Sequence, residues 1–490
     1  MDRHLRALAP WAALVVAAGL AAPSWAADPI AEQIRQAFDK VVRSTVIVSY
    51  YVQRDDGSRP DLHILGTVVG PGNLVMISSV AIPSSLPVTQ LKDFKVTVAK
   101  GDDLESFSAE YLGKDDEAQV ALLRVTDPKA PALPALAFEA GRAVELGDAV
   151  LTFGTLGEPD RYERVARLSR VAAKIDQPVT VYLCSESLGS PGTPIVTLDG
   201  NVVGIVGLAR INRNTNARPE WATMEILLPA VRFAERIKNP PKGGTIVHHA
   251  WLGAHTLTPV KKDLADYFKL GDRRGVVVGR VVDSSPAEKA GLKAEDIILA
   301  VDGKDIKGTE GQLVENFSNE ISDRKVGQAV TLAVWRDGKT QDIQVTLEAE
   351  PKTAGEAERY RSSPVGLTVR EMVLSDRLSR ELPPAEGGVV VAHVTSASWA
   401  ADAGLKTEDI VKKVQDQNTP TLAEFRKVFE AEVKKKPKEI VLFVLRGKKD
   451  TQLVRIETRW SAPAPEKPKA EPPAEKKPEG AGEAKPEAGK

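Results

Sequence analysis

Covalent hydrolytic chemistry needs a nucleophile, a base to take its proton and a group that orients the base. In this chain of 490 residues the side chains able to fill those roles are few: six histidines and one cysteine. The serines worth weighing stand in "CSESLGSPGTPIVTLDGNVVGI", Cys184–Ile205, a Gly-rich turn between apolar runs. Ser185, Ser187 and Ser190 flank that turn, where serine is ordinarily a turn-former. Of the histidines, His4 lies in the N-terminal apolar lead, His248 and His249 at the end of a Pro/Gly segment, and His255 and His393 in a repeated region. His63 stands within "DLHILG" and reads as a strand-surface residue. Asp115 and Asp116 read as a solvated acidic turn. Cys184 has no neighbouring base and no partner for an intramolecular disulfide, so it reads as a small apolar residue. No Lys lies near the serine turn in sequence, and no His/Cys cluster has ligand spacing, so no metal and no cofactor is expected.

These residues are carried by elements that can be read from patterning. Residues 31–42 have helical periodicity through Ile34, Phe38 and Val41. Short apolar or alternating runs follow ("STVIVSYYV", "LHILGTVV", "NLVMISSVAI", "KVTVAK", "AQVALLRV", "AVLTFGT", "PVTVYL", "TPIVTL", "NVVGIVGLA"), each bounded by Gly, Pro or Asp, which argues for an all-β barrel or sandwich. A helix, Pro229–Asn239, and a linker, "PPKGG" (Pro240–Gly244), close that region. Beyond it, "GVVVGRVVDSSPAEKAGLKAEDII" (Gly275–Ile298) returns as "GVVVAHVTSASWAADAGLKTEDIV" (Gly388–Val411), identical at 14 of 24 positions without a gap. Two copies of one domain of about 100 residues are implied, joined by a polar linker over Glu348–Ser363.

The ends have their own signatures. Arg3 and Arg6, the apolar run Ala7–Ala22 and the small residues of "SWA" (Ser24–Ala26) form an export signal, Met1–Ala26, cleaved before Ala27 or kept as an anchor. Ser461–Lys490 is almost wholly Pro, Ala, Glu, Lys and Gly, a disordered tail. A formal net charge of −1 gives no electrostatic case for nucleic acid. No further apolar run is long enough to span a membrane.

Both copies, Ala250–Glu348 and Pro364–Trp460, resemble PDZ domains of the bacterial, circularly permuted type. That resemblance implies a loop that binds a peptide C-terminus: Trp251, Leu252, Gly253 and Ala254 in the first copy, and after Pro364 the residues Val365, Gly366 and Leu367 in the second. Independently of the name, a carboxylate needs converging backbone N–H donors, and Gly allows close approach. The strand after the loop offers an edge to which an extended peptide adds. Helix residues Leu313 and Phe317 are candidate apolar pocket residues. Pro364 alters the second loop, and whether that copy binds peptide stays open.

The order of export signal, β-rich domain over residues 31–240, closing helix and two PDZ-like copies resembles the HtrA family of trypsin-like serine proteases. The expected fold is multi-domain and mainly β: a trypsin-like double β-barrel followed by two α+β PDZ-like domains. "GTVVGPGNLVMISSVAI" (Gly66–Ile82), "GKDDEAQVALLRV" (Gly113–Val125) and "GSPGTPIVTLDGNVVGI" (Gly189–Ile205) are similar to the segments that carry that family's His, Asp and Ser. The three positions hold Val80, Gln119 and Pro191. Valine accepts no proton, glutamine supplies no charge, and proline has neither a hydroxyl nor an N–H. In the family the nucleophile's own N–H is an oxyanion donor, and losing one such donor typically costs about 10²–10³ in rate.

Two readings follow. One is a non-catalytic, HtrA-like exported or periplasmic protein, a chaperone, adaptor or regulator, whose PDZ domains bind exposed or C-terminal peptide segments of exported proteins. The other is an active serine endopeptidase of envelope quality control with non-standard residues. The resemblance further implies a homo-trimer, or a hetero-oligomer with an active relative; of the adjacent aromatics Tyr50 and Tyr51, one faces such a neighbour or belongs to the core.

Overall fold

The computed structural model describes residues 28–100, 103–176, 179–215 and 218–460. The export signal at Met1–Ala26, His4 and the tail Ser461–Lys490 lie outside the described residues. The described chain divides into two units. The first runs through the N-terminal domain and the first copy to Glu350. The second gathers Val52–Pro60, Ser84–Gln90 and the residues from Pro351 onward.

The N-terminal domain opens with helix α1, Pro29–Val42. Asp28 caps it by accepting from Ile30 N at 3.0 Å, and Pro29, whose missing N–H would be unsatisfied there anyway, begins it. Its apolar stripe places Ala37 and Val41 against Leu151, Phe153 and Val196, with Phe38 edge-on to Phe153 at 5.5 Å.

The predicted strand runs become two closed barrels. The first is built from β1 (Thr45–Val52), β2 (Asp61–Gly70), β3 (Leu74–Ser78), β4 (Leu91–Lys100), β5 (Asp103–Asp115) and β6 (Val120–Val125). Its order is β5-β4-β1-β2-β3-β6, closed by β5 pairing with β6. The second contains β7 (Ala149–Thr155), β8 (Arg164–Ile175), β9 (Val181–Cys184), β10 (Pro194–Thr197), β11 (Val202–Thr215) and β12 (Arg218–Pro229) in the closed order β10-β11-β12-β9-β8-β7. Closure pairs most of the sheet edge and leaves the end of β5 open on one side. One apolar cluster spans both barrels, bringing Leu74, Leu112 and Val120 together with Ile205, Leu228 and Phe233. The double barrel expected from the sequence is therefore present.

The Pro/Gly segment is more than a spacer. Gly244 N donates to Leu112 O at 3.0 Å, and Thr245–Ile246 pairs in parallel with Gly113–Lys114 at the end of β5. Gly113, at φ 137°, permits this approach: a Cβ there would stand 2.2 Å from Thr245 O.

Each copy has its own core, centred on Leu313, Phe317 and Leu332 in the first and on Phe425, Phe429 and Leu442 in the second. The repeated "AGLKxED" has a structural explanation. Its aspartates, Asp296 and Asp409, are 1% and 2% exposed. Each accepts two bonds from an arginine, Arg336 at 2.6 and 2.6 Å and Arg446 at 2.8 and 2.6 Å. The same arginines also donate to Gly291 O and Gly404 O of the motif.

The linker expected over Glu348–Ser363 is corrected by the structure. Arg359–Ser362 forms a strand and joins the sheet of the second copy. Its alternation of Arg, Tyr, Arg and Ser is short and polar enough to hide a strand until a partner edge is present.

Candidate functional site

The three positions singled out from the sequence come from three places in the chain. Val80 lies in the single 3₁₀ turn Ser79–Ala81 that follows β3. Gln119 lies in the turn between β5 and β6, at φ 55°. Pro191 lies in the loop between β9 and β10. Tertiary contacts bring these segments together. Ser79 N donates to Gln119 O at 3.1 Å. Gly192, at φ 87°, packs on β3 so closely that a Cβ would stand 2.9 Å from Ser78 N.

None of the three side chains is arranged for proton transfer. Val80 is 51% exposed. The Gln119 amide is closed onto the backbone of β11: its Nε2 donates to Leu208 O and its Oε1 accepts from Leu208 N, both at 2.8 Å. Only an amide can do both, since a carboxylate has no proton to offer Leu208 O. Pro191 contributes no N–H.

The loop before Pro191 carries the other decisive contact. Ser187 Oγ (3.0 Å), Leu188 N (2.7 Å) and Gly189 N (3.2 Å) all donate to one oxygen of Glu225, on β12. An internal carboxylate thus takes up the converging donors that a Gly-rich turn would otherwise present to a negative oxygen. The rest of the turn is tied down by Gly192 N on Val206 O (2.7 Å) and Thr193 Oγ1 on Ser190 O (2.7 Å).

The other side chains weighed from the sequence are engaged as follows. Ser185 Oγ is bonded to Arg170 N at 3.3 Å and approaches Ser169 Oγ at 3.5 Å. Ser187 Oγ is bonded to Glu225, and Ser190 O accepts from Thr193 Oγ1. His63 sits on β2 and accepts or donates at 2.6 Å with Tyr162 Oη. Cys184 ends β9, where burial pushes its thiol up to about 11, so it is not a thiolate at neutral pH. Among the described residues no group of His, Cys, Asp or Glu could hold a metal ion.

Asp115 is the residue that sequence reasoning misplaced. Rather than forming a solvated turn with Asp116, its side chain is 2% exposed. It accepts from Arg236 Nε (2.5 Å) and Ala118 N (3.0 Å) and is bonded to His249 Nε2 (2.9 Å). Burial would raise its carboxyl, but the His249 ring, the Ala118 N–H and Arg236 outweigh that and hold it at about 2. The opposite ring nitrogen of His249 stands 3.1 Å from Glu117, in ion-pair range but not aligned as a hydrogen bond. Burial disfavours the charged ring, yet Asp115, Glu117 and Glu350 raise its pKa. No local pattern in the sequence connects Asp115 with His249, 134 residues away.

In the first copy, Trp251, Leu252, Gly253 and Ala254 form the expected loop. Gly253 has φ 88°, and a Cβ would stand 2.2 Å from Ser285 Cβ. Leu252 is buried, while among the described residues nothing accepts from the Leu252 or Gly253 N–H. Among the described residues, strand β13, Ala254–His255, pairs with Arg280–Val281 alone. Helix α2, Leu313–Ser322, carries Leu313 and Phe317, both in the core at 0% and 2% exposure. In the second copy Gly366 repeats the turn at φ 76°, and a Cβ there would stand 2.2 Å from Ser398 Cβ. Val365 and Leu367 are buried, and the Gly366 N–H is bonded to Ser362 O at 2.9 Å. The free edge expected after this loop is absent, because Arg359–Ser362 is paired along it.

Comparison with known proteins agrees with this architecture. The signature of the trypsin-like peptidase domain matches residues 65–205, and that of the PDZ domain matches residues 256–347. The chain therefore carries a trypsin-like peptidase domain followed by a PDZ domain. It is 27% identical over 364 residues to a probable periplasmic serine endoprotease DegP-like protein of Brucella suis, covering 72% of this chain and 67% of that one. It is 26% identical over 376 residues to the periplasmic pH-dependent serine endoprotease DegQ of Escherichia coli, covering 74% of each. A solved serine-to-alanine form of the HtrA-type protease AlgW with a decapeptide shares the fold at a TM-score of 0.50 and 16% identity, over 65% of this chain and 98% of that one.

Proposed function

We propose that this chain is a non-catalytic, exported HtrA-like protein of the periplasm. In this reading the double barrel is a scaffold, and the PDZ-like domains bind exposed or C-terminal peptide segments of exported proteins, as a chaperone, adaptor or regulator. The observation that carries it is the Glu225 carboxylate on Ser187 Oγ, Leu188 N and Gly189 N, beside a residue at 191 that has no N–H. A tetrahedral oxyanion would meet a carboxylate where it needs donors. Val80 and the backbone-bound Gln119 supply neither base nor orienting anion. The named relatives are periplasmic serine endoproteases, which supports the compartment and the peptide-handling role and leaves the chemistry to the residues. Assembly as a homo-trimer or with an active relative is part of the proposal; Tyr50 is buried, so the half-buried Tyr51 is the better candidate contact.

The test is a fluorophosphonate label and a casein assay on the purified chain beside an active family member. No stoichiometric label and no turnover are expected. Turnover abolished by substituting Ser185, Ser187 or Ser190 would establish instead an endopeptidase with non-standard residues.

A further inference from the structure

The second copy already has a strand on its peptide edge. Strand β14, Arg359–Ser362, lies antiparallel on β15, Leu367–Glu371, with Arg359 opposite Arg370, Tyr360 opposite Val369, Arg361 opposite Thr368 and Ser362 opposite Leu367. The other edge of β15 pairs with β16, Val389–Val394, so β14 fills the one remaining edge. Its direction brings its C-terminal end to the Gly366 turn. There Ser362 O accepts from Gly366 N at 2.9 Å, as an oxygen of a bound C-terminus would. Tyr360 packs on helix α3, Leu422–Lys434. Its ring centroid is 6.1 Å from Phe425 and 6.4 Å from Phe429, and the Arg426 guanidinium stands 5.8 Å over it. The first copy differs at each point: Ala250 and the first loop residue, Trp251, pair with Glu348–Ala349 instead, and among the described residues β13 has a single partner and the Gly253 N–H is free.

We propose that β14 is an internal ligand of the second copy, with Tyr360 as the anchoring side chain between β15 and α3, so that this groove accepts an outside peptide only when β14 is displaced. The kind of peptide it takes follows from the occupant: an extended segment with an aromatic side chain two residues before its C-terminus, flanked by basic residues. The inference rests on the groove reading of the PDZ-like copies and is independent of whether the barrel is catalytic. β14 is held within its own unit by more than the groove. Arg361 Nη2 donates to Asp55 O at 3.1 Å, and Gly355 N donates to Ser84 O at 3.1 Å. A tether this short gives an effective concentration on the order of millimolar, so if β14 itself has an intrinsic Kd of ~10 μM for the groove, any outside peptide binds about 100-fold more weakly than to an open groove.

The experiment uses the full chain and, as probe, a labelled peptide of residues 355–362 (GEAERYRS) with a free carboxylate. Wild type should take up little probe at the second copy. Tyr360→Ala should raise probe affinity there at least about tenfold, with cross-linking placing the probe on α3. Adding Arg361→Cys and Thr368→Cys, a directly opposed pair, should block uptake when oxidised and restore it on reduction. Equal uptake by wild type and Tyr360→Ala would overturn the inference. So would no uptake by Tyr360→Ala while α3 amides stay protected from exchange, or loss of that protection, since β14 would then be core rather than ligand. Binding of an apolar C-terminal peptide to the first copy, measured on the same protein, separates failure here from failure of the peptide-binding reading itself.

Discussion

Replacing Asp115 with Asn tests whether a buried ionic cluster holds the turn that carries Gln119. The Asp115 carboxyl drops from 3.8 to about 2 in the folded chain. A depression of that size corresponds to about 2 kcal/mol of stability at neutral pH. Asp115→Asn keeps the volume and an oxygen for Ala118 N but removes the charge that faces Arg236 and His249. The expected loss is therefore at least about 2 kcal/mol, rising toward 3–5 if both cations are left uncompensated. Hydrogen exchange of β5 and β6 amides is the assay, because it reports this domain without assuming that the whole chain unfolds in one step. A loss of 2 kcal/mol accelerates globally protected amides about 30-fold. The pH dependence adds a second readout. A depressed carboxyl contributes fully above pH 3.8 and its contribution disappears as pH falls through about 2, so wild type should lose stability across that window and the variant should not. His249, raised by its acidic neighbours, contributes as a cation below 6.5 and loses that contribution as pH rises through its higher folded value. The alkaline loss should shrink in the variant too. Exchange within about twofold of wild type from pH 4 to pH 8 would refute the argument.

Two further outcomes are expected. Gln119→Glu should destabilise the domain by about 1–3 kcal/mol, because a carboxylate leaves Leu208 O without its donor, and it should produce no casein turnover; denaturant midpoints and the protease assay check both halves. Gly253→Ala forces a Cβ within 2.2 Å of Ser285 Cβ at a φ of 88°, so binding of apolar C-terminal peptides to the first copy should fall at least about tenfold by calorimetry. Amidating the peptide should have a comparable effect on wild type, and an unchanged affinity would dissociate the loop from carboxylate capture.

Much of the architecture was legible along the chain. β-branched runs bounded by Gly and Pro marked the barrel strands, and a gapless repeat marked two copies of one domain. Three segments resemble a protease pattern, and that resemblance is what points to Val80, Gln119 and Pro191. These features are local: periodicity, turn residues and a missing N–H follow from residue type and short spacing.

What the tertiary structure decided were the pairings between distant segments. Glu225 is 36 residues from Gly189 and His249 is 134 from Asp115, and nothing in either neighbourhood announces the bond. Asp115 is a buried anion rather than a solvated one because Arg236 and His249 arrive to compensate it. Arg359–Ser362 reads as a polar linker because a strand is defined by its partner, and the partner edge exists only once the second copy has folded. The sequence determined which groups the chain possesses. Folding determined which of them are exposed to a ligand and which are already spent on one another.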